Sequence, residues 1–445
     1  MRSKTINMTE GSIGDKLFAV ALPLAATAVL QQMFNAADVA VVGRFAGKEA
    51  MAAVGSNTPV IGLMVNLFTG ISIGTNVVIA KMLGARDESK VHDAVHTSII
   101  LAVLGGILLM LAGQAIAAPL LTMLSVPEEV LPMAVLYLRI YAVGFPVIFL
   151  YNFEAAILRS QGNTRTPLFC LTFSGLLNVV LNLFFVIVLK MDVAGVALAT
   201  VLSNVVSSAM LFVYLVRDKG LLRVVPSDLK LNSSLCREIV RIGLPAGLQG
   251  VVVTLSNVFV QYFINGFDVT AIAAFTAYYR IELLFYMPLC ALGQAMMTFT
   301  GQNVGARLYG RVKSGLRTTL IFGVAYSVAL AAVLLYFGRE TFGIFYSDPA
   351  VIDMGIKIIW IAFPFYFFYV FLETFADTLR GAGLSTVPMY IVLFNQCLLR
   401  TVILFGFMQL AHDIRLLAAV YPITWGTAGA MLYWYYRKGT WYVKP

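Results

Sequence analysis

Charge is scarce in this chain: Lys, Arg, Asp and Glu make up 12% of its 445 residues, about half the share of a soluble domain. That scarcity excludes an ordinary soluble enzyme. The net charge of +9 is spread over loops between apolar runs, so it is not read as a nucleic-acid surface. Cysteine is scarce too. Cys170, Cys236, Cys290 and Cys397 are scattered through or beside apolar segments, with neither metal-ligand spacing nor a disulfide framework. Among the 3 histidines, His92-Asp93-Ala94-Val95-His96 places two imidazoles one turn apart around an acid, loosely like a zinc metalloprotease helix. The acid is one methylene shorter than the expected Glu, no third ligand is evident, and His412 falls on the opposite, external side. Catalysis is not expected. No phosphate-binding loop occurs, so the chain is not itself an ATP-driven pump, and no cofactor is indicated.

What the chain has instead is length in its apolar runs. Hydrophobic residues make up 60%, in stretches long enough to cross a bilayer core of roughly 30 Å. The first, Leu17 to Val42, is too long for a signal peptide and lacks a cleavage-type ending. The pattern predicts an all-α polytopic membrane protein with spans near 16–42, 54–80, 93–117, 131–153, 167–189, 193–216, 238–264, 271–299, 315–337, 352–377, 387–410 and 414–436. With the N-terminus inside, only Arg44, Lys48, Lys190 and Arg339, with Lys357 and Arg415 near the external ends of their spans, fall on the external side, while Arg139, Arg280 and Arg400 lie deeper within spans. All other basic residues then face the cytoplasm, which sets the orientation and places both termini there.

An internal repeat divides the chain. Leu158-Arg159-Ser160-Gln161-Gly162 through Pro167 matches Leu379-Arg380-Gly381-Ala382-Gly383 through Pro388, about 221 residues on. At the same offset Gly84-Ala85-Arg86 matches Gly305-Ala306-Arg307, and Ala50 to Ala53 matches Ala271 to Ala274. Residues 1–216 are expected to form a first lobe, 217–237 a basic cytoplasmic linker, and 238–445 a second lobe. Six spans per half make both halves enter from the same side, so the pseudo-two-fold axis runs along the membrane normal. That is a parallel-repeat transporter design, with substrate bound between the halves.

Asp38 is the residue that stands out. An ionisable side chain at membrane depth costs about 2.5–3.5 kcal/mol on insertion scales and is a functional candidate. Gln31, Asn35 and Asp38 share one helix face. Span 5 carries Ser174, Asn178 and Asn182 on one face, and span 6 carries Thr200, Ser203 and Ser207. At about 1.5 Å per residue these stripes can converge in the outer half of the first lobe. Oxygen ligands around one carboxylate suit a hard monovalent cation, or a proton on Asp38 itself.

The second half lacks this set, since Asp38 maps to Val260, Asn178 to Leu399 and Asn182 to Ile403. Its polar residues lie elsewhere, at Asn257, Gln261 and Asn265 on span 7, Glu282 on span 8, and Glu373 with Asp377 on span 10. The last two sit near Arg380 and read either as a structural ion pair or as an inner gate. Arg280 or Arg400 could neutralise Glu282 or Glu373. The aromatic run from Trp360 to Phe371, with Tyr366, and Tyr278 on span 8 could stack on organic cations or simply pack. Met33, Met64, Met287, Met296 and Met297 leave the same choice between an adaptable cavity and packing.

Taken together, these residues resemble the multidrug and toxic compound extrusion (MATE) family along the whole chain. The resemblance is carried by twelve spans in two halves, Leu-Pro opening spans 1 and 7, Asn35-x-x-Asp38-x-x-x-x-Gly43, and the Leu-Arg-x-x-Gly-x-x-x-x-Pro repeats. The similarity is closest to bacterial members that couple through the N-terminal lobe, and it implies a cation site at Asp38, Asn178, Asn182 and Thr200, with Pro23 as a bend in span 1. It further implies a V-shaped, alternating-access, monomeric antiporter in the bacterial inner membrane. Such a protein exports amphipathic, often cationic compounds against inward proton or sodium flow, with membrane lipid around it and no nucleic acid among its partners. Asn182 stands where relatives commonly carry Asp. The span 7 Glu used by another branch is absent, with Val252 or its apolar neighbours there instead. Proton and sodium both remain open, as does a lipid-linked oligosaccharide flippase of the same superfamily.

The charge asymmetry makes a direct prediction. Single cysteines placed between residues 218 and 236 are expected to react with a membrane-impermeant maleimide only from the cytoplasmic side. Labelling from outside intact cells would overturn the orientation and the even span count together.

Overall fold

The computed structural model describes residues 6–410, 413–439 and 441, which leaves His412 outside the described residues. The first half holds α1 (Ile13–Phe45), α2 (Gly47–Gly84), α3 (Glu88–Met123), α4 (Leu131–Val143), α5 (Phe145–Ser160), α6 (Arg165–Leu183) and α7 (Asp192–Arg217). The second holds α8 (Ser233–Ile264), α9 (Val269–Gly305), α10 (Tyr309–Tyr336), α11 (Gly338–Gly343), α12 (Pro349–Ala362) and α13 (Phe367–Gly381). It closes with α14 (Thr386–Val392), α15 (Arg400–Leu410) and α16 (Ile414–Arg437). Widened π turns at Phe184–Val188 and Leu393–Leu399 extend α6 and join α14 to α15. Aspartates start several helices: Asp87, Asp268, Asp348 and Asp413 each accept a backbone N–H of the first turn, satisfying donors a helix leaves orphaned.

Among the described residues, 10 helices are long and apolar enough to cross a membrane, and two bent pairs bring the number to 12 if each is one span. The sequence reads each of those pairs as an uninterrupted helix, at 131–153 and 352–377. The structure instead bends both by 47°, between α4 and α5 and between α12 and α13. The cause is local. Pro146 sits in the first turn of α5, just after its break, and Pro364 in the 3-10 turn Phe363–Phe365 that leads into the other; each proline withholds an N–H that would otherwise continue the helix. A Cβ on Gly144 would also meet Val201 Cγ2 at 2.7 Å.

The chain forms two compact units, and their membership crosses the midpoint of the sequence. The first is Met1–Asn7 with Ala26–Gly247, and the second is Met8–Ala25 with Leu248–Pro445. Residues 8–25 therefore pack with the second half, and residues 238–247 with the first. In the first unit α8 starts against α2 through paired small residues. A Cβ on Gly70 would fall 2.1 Å from Gly247 Cα, and one on Gly74 2.1 Å from the Ile239 carbonyl oxygen. Gly70-x-x-x-Gly74 thus meets Gly243-x-x-x-Gly247, which lets two backbones approach where lipid offers no hydrophobic drive. In the second unit the Met8 N–H donates to Gln302 Oε1 at 2.9 Å. The Met8 carbonyl accepts from Asn303 Nδ2 at 3.1 Å, and Arg311 Nη2 donates to the Glu10 and Gly11 carbonyls at 2.8 and 2.7 Å.

The repeat is conformational as well as sequential. Gly162 and Gly383 have φ of +78° and +92°, the left-handed region that only glycine adopts without strain. Arg86 and Arg307 match at φ of 56° and 58°. The histidine pair has a structural role. Val225 N donates to His96 Nε2 at 2.9 Å, and His96 Nδ1 lies 2.7 Å from the His92 carbonyl. With the Asn232 N–H donating to Thr97 Oγ1 at 3.1 Å, these bonds fasten the linker to α3.

The glycine contact is expected to govern stability. Gly74→Ala or Gly70→Ala should lower stability by about 1–3 kcal/mol, since backbone cannot yield as a side chain can. A Cβ on Gly55 of the same helix meets nothing within 4 Å, so Gly55→Ala should leave the melting temperature in detergent unchanged or slightly raised. Equal melting of all three variants would refute the close-approach account.

Candidate functional site

In the first unit, α1 and α6 bring Asp38 beside two asparagines. Asn182 Nδ2 lies 2.5 Å from Asp38 Oδ1 and 3.2 Å from Asn178 Oδ1. Asn178 and Asn182 are one turn apart on α6 and buried, so their side chains stack along one face. The two helices approach closely because α6 carries Gly175, where a Cβ would lie 1.9 Å from Phe34 Cε2. Phe34 precedes Asp38 by one turn of α1, so the ring seated on Gly175 sets the height at which the carboxylate meets Asn182. Asn182 is also followed closely by the π turn at Phe184–Val188, a widening often found at functional positions.

The other predicted members are placed differently. Thr200 Oγ1 donates to its own helix at Val196, 3.0 Å away, and the Thr200 carbonyl accepts from Ser203 Oγ and Asn204 Nδ2 at 2.9 and 2.8 Å. Ser174 is buried and donates to the Leu171 carbonyl at 3.2 Å. Gln31 and Asn35 share Asp38's helix but are exposed. Pro23 lies within α1, three residues before the chain passes from the second unit to the first at Ala26. Two tyrosines on α4 absent from the expected site, buried Tyr137 and half-buried Tyr141, lie near enough to interact electrostatically with Asp38. Their spacing, one turn apart on span 4, was the only signal the sequence offered.

Asn182 spends its amide nitrogen on two oxygens and leaves its own Oδ1 buried with no hydrogen-bond partner among the described residues. A buried acceptor without a donor is costly. That carbonyl and the adjacent carboxylate form a small oxygen set suited to a proton on Asp38 or to a hard monovalent cation.

In the second unit the predicted substrate-facing side chains lie mostly inside the fold. Tyr278 and Tyr366 are fully buried and Met287 nearly so. Tyr278 stacks on Phe363 at 5.6 Å, and Tyr366 packs edge-on to Trp425 at 4.8 Å. Tyr366 Oη donates to Glu282 Oε1 at 3.3 Å. Asp377 is paired with Arg380 in the interior. Gly293 of α9 makes room for them, since a Cβ there would lie 2.5 Å from Asp377 Oδ2 and 3.2 Å from Glu373 Cγ. Arg400 pairs with neither Glu282 nor Glu373. It donates to Ser256 Oγ at 3.3 Å and Thr424 Oγ1 at 3.1 Å, and lies over the Tyr421 ring at 4.8 Å. Arg280 is exposed and lines a shallow groove with Thr276, Phe345 and Tyr346.

Comparison with known proteins follows the same outline. YoeA of Bacillus subtilis, a probable multidrug resistance protein, is 26% identical over 94% of this chain and 92% of its own length. An FAD transporter of Shewanella oneidensis is 25% identical over 77% of this chain and 76% of its own. A crystal structure of MATE in the bent conformation superposes with a TM-score of 0.92 at 22% identity, covering 99% of this chain and 98% of that one. The MatE family profile matches twice, at residues 23–184 and 245–405, one stretch in each half of the repeat. With both halves matched and the polytopic helical fold in place, this chain belongs to the MatE family.

Proposed function

We propose that this protein is a cation-coupled antiporter that exports amphipathic, often cationic small molecules by alternating access, with Asp38 as the coupling carboxylate. The observation that carries the reading is the Asp38–Asn182–Asn178 chain, a half-buried carboxylate on two buried asparagines, with a carbonyl unpartnered among the described residues. A proton or sodium ion bound there neutralises Asp38, and its release leaves a carboxylate in low-dielectric surroundings, which is costly. That difference is what lets an ion gradient bias one conformation over another. Asn182 and Asn178 orient and ligate without changing charge, so this site exchanges one monovalent cation per cycle. The family membership and the naming of YoeA as a probable multidrug resistance protein support an organic-cation cargo. The proposed setting is the inner membrane of a bacterium, with both termini in the cytoplasm.

A second reading, an anionic cargo, has one observation in its favour. Arg400 is buried and bonded to hydroxyls and an amide, and among the described residues it makes no ion pair, although Glu282 lies within its electrostatic reach. One relative is named an FAD transporter. Counterflow in proteoliposomes with ethidium and, separately, with FAD separates the two cargo classes.

Asp38→Asn keeps size and hydrogen bonding but removes the titratable charge. Gradient-driven efflux of ethidium is expected to fall to the rate of protein-free liposomes while the melting temperature holds. Wild-type pumping by this variant under either a proton or a sodium gradient would overturn the coupling role. Asn182→Asp places a second carboxylate beside Asp38, and two such groups resist ionising together. The pH at which efflux is half-maximal should therefore move, or cation affinity should rise. An unchanged pH profile and unchanged sodium dependence would remove Asn182 from the site.

A further inference from the structure

The first unit holds another carboxyl group, one that the coupling site does not use. Glu154 of α5 is completely enclosed, at 0% exposure. Ser208 Oγ of α7 donates to its Oε2 at 2.9 Å, and its Oε1 has no hydrogen-bond partner among the described residues. The helices packed most closely on α5 are α2, α3 and α7. Among the described residues none of them sets a Lys, Arg or His against the carboxyl. The titratable groups near it are Tyr151 on the same helix and Cys170 on α6, both ordinarily neutral near pH 7. Tyr151 Oη is occupied with the Pro167 carbonyl at 3.3 Å. A bare carboxylate in this position would have one hydroxyl for solvation and no counter-charge, whereas a carboxylic acid is tolerated there.

Its level in the fold separates it from Asp38. Glu154 lies about 9 Å along α5 from the loop that joins α5 to α6, and Asn182 lies about 25 Å along α6 from the same loop. The interval is filled by buried Ser174, Asn178, Ser203 and Ser207 on α6 and α7. Apolar packing would have served a purely structural seam there without leaving an acid half-satisfied.

We infer that Glu154 is a second proton-binding group of the first unit, loaded and emptied in the same cycle as Asp38. The inference rests on the antiport reading above. On release the carboxyl O–H bond breaks, the proton passes to water at the inner face, and the carboxylate left behind keeps the Ser208 hydrogen bond. Reloading reverses these steps.

The test is a reversal-potential measurement on the full-length protein in proteoliposomes with ethidium as cargo. Wild type is expected to move one more proton per ethidium than Glu154→Gln, which keeps an acceptor for Ser208. Equal proton counts and equal pH profiles for the two would overturn the inference. If that happens while Asp38→Asn is silent, only the role of Glu154 falls; if Asp38→Asn pumps normally, the antiport reading falls as well. A second measurement does not depend on the folding of Glu154→Gln. Ser208→Ala removes the donor that favours the charged form, so the infrared carboxyl-stretch titration should move to higher pH than in wild type. A titration that Ser208→Ala leaves in place would also overturn the assignment.

Discussion

Inside a bilayer no water is available to the backbone, so every N–H and C=O must find its partner within the protein. The fold can be read as a set of answers to that demand. Long helices close nearly all of their own bonds, and the interruptions fall where another group takes over. At the Leu393–Leu399 π turn the Gln396 carbonyl accepts from the Ser256 hydroxyl of α8. At Gly144 the carbonyl accepts from the N–H groups of Val147 and Ile148 at 3.1 and 2.9 Å as α5 begins. Irregular backbone survives here because protein surrounds it. The same demand brings the glycine pairs of α2 and α8 into register, since close contact is what holds helices together when lipid is as apolar as the side chains.

Buried charge is handled in several ways across the two units. Asp377 is compensated directly by Arg380. Arg400 is solvated by hydroxyls, an amide and a ring face. Asp38 has amide company and no cation, and Glu154 has a single hydroxyl. These arrangements differ in how easily a proton or small ion can alter them. A paired acid resists change because removing its partner strands a charge. An acid held only by neutral groups can be neutralised by whatever small cation arrives. On that ordering Asp38 and Glu154 in the first unit, and Glu282 beside the Tyr366 hydroxyl in the second, are the more easily altered, while Asp377 is committed to its arginine.

Much of this was legible in the residues. Twelve apolar spans, the repeat at about 221 residues and the alignment of Asp38 with Asn178 and Asn182 follow from periodicity, motif spacing and helical geometry. The bends at Pro146 and Pro364 were signalled by the prolines but masked by unbroken hydropathy on either side. The depth of Glu154 was hidden because it falls just past span 4, read as 131–153, with Arg159 five residues on, where an acid ordinarily reads as interfacial. Thr200 and Ser203 illustrate a different limit. Helical phase shows which way a residue faces, but hydroxyls in helices commonly bond back to their own backbone, and these two do. Nor could charge alone match Arg400 to a partner. Tertiary packing sends it to Ser256 and Thr424 rather than to an acid.

The crossed membership of the two units has a consequence for biogenesis. A ribosome delivers the chain from its N-terminus, yet the second unit includes residues 8–25 and the first ends only at Gly247. The opening stretch of α1 must therefore wait through most of synthesis before its packing partners emerge. The first unit, for its part, cannot seat the glycine seam of α2 until the start of α8 has left the exit tunnel. The first unit can finish once Gly247 has emerged but the second cannot, so the nascent protein must hold the opening stretch of α1 without its partners until late in translation. A cut in the linker would leave each fragment without a segment it needs, and the two would have to find one another to complete their cores.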